Sequence, residues 1–143
     1  MRKFYDDSNN LLCIYYEINF KEDDPKVNFV TDSNLPLQVA QMSRPYSETI
    51  QPHIHNLVER NLQVTSEILI LSSGSMRVDL FDSAKDYVSS FIARSNSIVM
   101  LFFGGHGFEI LEDVKMIEIK QGPYSEKDKN RFDYPPNLNL RIT

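Results

Sequence analysis

"SEILILSSGSMRVDLFD", residues 66–82, decides the fold class. Residues 67–72 form a short apolar run bounded by serine and glycine, the mark of a strand covered on both faces. After the turn around Gly74, Met76, Val78 and Leu80 alternate with Arg77 and Asp79, which predicts a second strand with one wet face. Similar runs occupy 11–20, 26–32, 35–43, 48–55, 86–94, 97–103, 106–113 and 114–120. No stretch shows a convincing 3.6-residue period. Turn chemistry at Asn34 and Pro36, Ser73 to Ser75, Asp82 to Asp86, Ser95 to Ser97, and Glu112 with Asp113 predicts that neighbouring strands pair mostly as local hairpins. The expected class is all-β, a sandwich or a barrel. Residues 97–103, apolar on both faces like 67–72, call for a second layer or a second subunit on the outside.

The chain has 143 residues, enough for one real core, and is 41% hydrophobic and 24% charged, as globular chains are. A net charge of −5, with no dense Lys/Arg stripe, argues against nucleic acid and anionic lipid as partners. No apolar run approaches the roughly 18 residues that a bilayer span requires. "MRKFYDDSNN" lacks the apolar stretch of a signal peptide, and Cys13 is the single cysteine, so a cytoplasmic protein without disulfides is expected. Cys13 sits in "LLCIYY" with no histidine beside it, which predicts core packing. From Gly122 onward the chain turns polar and proline-bearing, so the expected organisation is a barrel over 1–122 and an arm over 123–143. Phe132, Tyr134 and Leu138 are the residues by which that arm would dock.

His53 and His55 stand two residues apart in "PHIH", and on a strand both imidazoles would project from one face, where they can share a metal ion. His106 follows later in "FFGGHGFEI", after a glycine pair that permits positive φ or close backbone approach. Two carboxylates compete to complete the set, Glu59 and Glu67. Glu67 opens an apolar strand whose Leu69 and Leu71 would share its inward face, and the six residues between it and Gly74 favour it through a family resemblance. Glu59 then lies in an enlarged loop.

"HIH", "EILILSSG" and "GGHGF" together resemble the two motifs of the cupin superfamily, over roughly residues 38–120. The gap of eleven residues between His55 and Glu67 departs from the usual pattern, as does "RSNSIVMLFFGGH", which lacks the second motif's usual glycine and proline. "MIEIKQGPYSEKDKNRF" is similar to the end of small WbuC-type cupin fold metalloproteins, through Gly122, Pro123, Tyr124, Asp128 and Lys129. The resemblance implies a single cupin barrel, a double-stranded β-helix or jelly roll with extra N-terminal strands. It also implies one divalent metal ion (Fe, Mn, Ni, Zn or Cu) held by His53, His55, Glu67 and His106, and a carbohydrate or small acid from surface-polysaccharide metabolism as ligand. A metal-dependent isomerase or an oxygenase-type cupin is the enzyme such a site suggests. Arg44, Tyr46, Gln51, Arg60, Arg77 and Tyr124 are the candidate substrate-pocket residues. Two alternatives stand beside this. One is a metal-independent sugar-nucleotide epimerase or isomerase using histidine as acid and base, in which the glutamate has no evident task. The other is a non-catalytic sugar-binding module. A homodimer with N-terminal strands or tails crossing between subunits is the expected assembly.

Overall fold

The computed structural model describes every residue except Tyr124 and residues 136–139. The chain is all-β: ten strands and one 3₁₀ turn, with no α-helix among the described residues. It divides into two compact units, residues 1–18 with 64–143, and residues 19–63.

The larger unit is built from β1 (Arg2–Tyr5), β2 (Leu11–Glu17), β5 (Glu67–Ser73), β6 (Ser75–Phe81), β7 (Tyr87–Arg94), β8 (Ser97–Leu101), β9 (Gly105–Ile110) and β10 (Lys115–Lys120). They form a five-stranded sheet, β1-β2-β8-β5-β10, and a three-stranded one, β7-β6-β9, with every ladder antiparallel. The ladders remain two sheets and do not close into the barrel that the sequence suggests. Between the sheets lies a core of Leu12, Cys13, Tyr15, Leu69, Leu71, Met76, Val78, Leu80, Phe91, Ala93, Val99 and Leu101. Each such large side chain withdrawn from water contributes about 1.5–3 kcal/mol before entropy is counted. Burial pushes the Cys13 thiol up, so it stays protonated and inert.

Successive strands pair locally only in part. β1 with β2 and β6 with β7 are neighbours in sequence and in their sheet, whereas β5 to β6, β7 to β8, β8 to β9 and β9 to β10 all change sheets. The turn residues expected to close hairpins therefore act at corners. Gly74 takes φ of +80° at one of them, and a Cβ there would overlap the Asp113 carbonyl oxygen. Asn96 turns the next corner at φ of +61°. β5 and β8, central in their sheet, bury side chains on both faces, as their unbroken apolar runs predict.

The smaller unit holds β3 (Val27–Phe29) and β4 (Ala40–Met42), paired antiparallel. Thr31 Oγ1 accepts the Val39 amide, and the Gln38 side chain donates to the Asp32 and Leu35 carbonyls, tying the connection together. Lys26 and Arg44 both pair with Glu48. The strand expected over 48–55 does not form, since Pro52 interrupts it without an amide to donate and no neighbouring strand pairs with it.

The wet face expected on β6 is also covered. Asp79, fully buried, accepts hydrogen bonds from Arg77 Nε (2.8 Å), Tyr134 OH (2.9 Å) and Ser90 Oγ. Phe132 and Tyr134 of the C-terminal segment lie edge-on to Phe81, and the chain end is hydrogen-bonded along Ser90. Burial alone would push the Asp79 carboxyl up, but the Arg77, Ser90 and Tyr134 hydrogen bonds outweigh it and hold the carboxyl below the usual range. Leu138, also expected to dock, lies outside the described residues.

Candidate functional site

β5 and β9 belong to different sheets. Glu67 opens β5 on the face that carries Leu69 and Leu71 into the core, and His106 sits opposite Leu80 on the inner face of β9. Their side chains meet: His106 Nε2 lies 3.2 Å from Glu67 Oε2 and donates to it. Glu67 is 10% and His106 29% exposed, so the carboxylate is largely withdrawn from water while the imidazole keeps some exposure.

The glycines around His106 make this placement possible. Gly104 takes φ of +72° at the corner, with its α-carbon against the Phe81 carbonyl, and leads the chain from one sheet to the other. Gly105 and Gly107 face outward. There the Phe132 ring comes within 3.2 Å of where a Gly105 Cβ would stand, and the Tyr134 hydroxyl occupies the space of a Gly107 Cβ. β9 thus presents His106 and Phe108 to the interior and two bare backbone positions to the arm.

Around the pair, the antiparallel register sets Lys120 of β10 opposite Glu67. Lys120 Nζ is 3.6 Å from Asp128, which also accepts from Thr65 Oγ1. Ser66 is fully buried; its amide donates to Gln121, and its hydroxyl has no protein partner among the described residues. The His106 hydrogen bond holds the Glu67 carboxyl below its usual range against the opposing effect of burial, helped by the charges of His106, Lys129 and Lys120. A depressed carboxyl contributes stability that is fully present above its unfolded value, about 4.3, and is lost as pH falls through the lower folded value. The stability difference between the native chain and Glu67→Gln, measured by urea unfolding, is therefore expected to hold from neutral pH to about pH 5 and to shrink below it. A difference that stays constant down to about pH 3 would contradict the pairing.

The smaller unit carries most of the other candidates. His53 and His55 belong to the smaller unit, in an exposed stretch without a strand; their rings stand 5.4 Å apart, and His53 Nδ1 is 3.0 Å from the Gln51 carbonyl. Arg44, Tyr46, Gln51, Glu59 and Arg60 are in that unit too, with Tyr46 fully exposed. Arg77 points to the outer face of β6, bound by Asp79 and by Glu109. Tyr124 lies outside the described residues. No group of three or more His, Cys, Asp and Glu side chains among the described residues is arranged to hold a metal ion. Lys120 and Lys129 were not anticipated as neighbours of Glu67; the antiparallel register that brings Lys120 alongside is not written in either segment alone.

No protein-family model, curated protein or solved structure matches this chain. Its residues and their geometry therefore carry the functional reading. No helix among the described residues is long and apolar enough to cross a membrane.

Proposed function

We propose that the chain binds and transforms a small anionic molecule at the Glu67–His106 pair, with His106 as general acid and base and Glu67 as the carboxylate that orients it. The observation that carries this is the 3.2 Å contact between one imidazole nitrogen and a part-buried carboxylate. It gives the glutamate the task that an acid–base reading of the sequence left unassigned: fixing the ring's tautomer and orientation. The positive charges of Lys120 and Lys129 favour an acid or a phosphorylated sugar over a neutral ligand, in keeping with the carbohydrate-related role that the cupin resemblance implies. Two antiparallel sheets whose successive strands cross between layers support the jelly-roll form of that resemblance.

A second reading rests on the same pair. Donor atoms 3.2 Å apart suit neighbouring ligands of one divalent ion at about 2.1 Å, which makes Glu67 and His106 two ligands of the cupin-type metal centre. The described side chains supply no third ligand beside them.

The test is proton exchange from D₂O into a panel of sugar phosphates and keto acids, followed by NMR, alongside elemental analysis. Acid–base chemistry predicts exchange that falls about 10²–10⁴-fold in His106→Ala and persists after chelation. A metal centre predicts one ion per chain, lost in Glu67→Ala, kept in Glu59→Ala, and lost in His53→Ala/His55→Ala if the full cupin set holds. Neither exchange nor metal would leave only a binding module.

A further inference from the structure

Residues 53–64, "HIHNLVERNLQV", leave Ile54 (91%), Leu57 (104%), Val58 (59%), Leu62 (46%) and Val64 (41%) in water while forming no strand or helix. Scattered exposed apolar residues need no explanation, but five within eleven positions mark a contact surface. Their spacing is specific. At 3.6 residues per turn the five side chains fall within an arc of about 160°. Of the intervening polar residues, only Asn61 falls inside that arc. Pro52 stands just before the segment, where a helix start tolerates it. Reading 48–55 as a strand and the rest as a loop divides this period between two elements and hides it. An isolated helix of this length is marginal in water, so the stretch needs an apolar surface to fold against.

The same chain exposes such a surface. β10 is the edge of the five-stranded sheet, with Ile117 (62%) and Ile119 (46%) side by side on one face, and Met116 (42%) beside them in sequence. Soluble proteins blunt an open apolar edge, often by covering it with a helix. The polar side of the segment carries one glutamate and one arginine among neutral groups, unlike the Lys/Arg-rich side of a helix built for anionic lipid.

We propose that residues 53–64 fold into an amphipathic helix and dock on the β10 edge of a second copy of this chain, the exchange being reciprocal and closed by a two-fold axis. Each copy carries both halves of the contact, so pairing covers both exposed surfaces. In that helix His53 and His55 point about 160° apart, so they would not share an ion. Loss of metal in their double alanine variant would therefore speak against the helix, while the acid–base reading is tested separately, by exchange that persists after chelation.

Light scattering and far-UV circular dichroism across micromolar to submillimolar concentrations test this. The mass is expected to rise from one chain to two, with the helical signal rising in step. Leu57→Glu and Ile117→Glu should each hold the mass at one chain with the β signal intact. Mixing these two variants should restore pairing, since one intact helix then meets one intact edge. A single-chain mass throughout, a dimer indifferent to both substitutions, or a helix already present in the monomer would each overturn the proposal. So would a helix that forms only on neutral lipid vesicles.

Discussion

Asp79→Ala is expected to destabilise the folded chain by about 3–5 kcal/mol, the range for breaking a buried ion pair by removing one partner. Asp79 has no exposed surface and accepts both Arg77 Nε at 2.8 Å and Arg77 Nη2 at 3.1 Å, besides Tyr134 and Ser90. Alanine would leave the Tyr134 hydroxyl without its acceptor and part-buried Arg77 with only Glu109. Two contacts place the cost at the lower end: Arg77 keeps Glu109, and the Ser90 hydroxyl still has Tyr87 within 2.8 Å. Tyr134→Phe removes a single bond to a charged acceptor and should cost about 1.5–3 kcal/mol. Urea unfolding of both variants measures these values; an Asp79→Ala cost below about 1 kcal/mol would mean that the network does not hold the arm. The carboxyl is held low, so its contribution should persist well into acid and disappear only as pH falls through its depressed folded value.

Gly104→Ala should be nearly as damaging, and its neighbour supplies the control. Gly104 has φ of +72°, where an L side chain costs about 1–2 kcal/mol, and an added Cβ would also overlap the Phe81 carbonyl oxygen. Backbone, unlike a side-chain tip, cannot swing aside, so a total of about 2–4 kcal/mol is expected. At Gly105 the same methyl meets the edge of the Phe132 ring at 3.2 Å, a contact the arm relieves by shifting slightly. Thermal unfolding should rank Gly104→Ala well below Gly105→Ala. Equal midpoints would mean that the corner is not strained.

How far the sequence could be read follows from what is local. β5, β6, β7 and β10 were legible within about a residue, because alternation and turn residues act over a few positions, whereas the runs read for β8 and β9 extend two and three residues past the strand ends. β1 was missed: its four residues, Arg2–Tyr5, follow neither pattern and are defined by pairing with β2. Turn chemistry identified where the chain reverses, but Gly74 and Asn96 redirect it to the other sheet, which no property of the turn residues announces. The alternation in 75–82 was real, yet the face carrying Asp79 is closed by Tyr134, fifty-five residues on. Glu67 and His106 were found through spacing that resembles a family motif. The same-face argument for His53 and His55 depended on a strand that Pro52 interrupts.

The alternation along β9 ties its register to the arm. Its side chains alternate between an imidazole that must face inward and glycines that must face outward, so a one-residue slip against β6 would invert both at once. A slipped strand would offer Phe132 and Tyr134 no recess, and Asp79 would lose its phenol. Seating of the arm therefore goes with one register of the strand that carries His106: the recesses for Phe132 and Tyr134 exist only when the imidazole faces inward, toward Glu67.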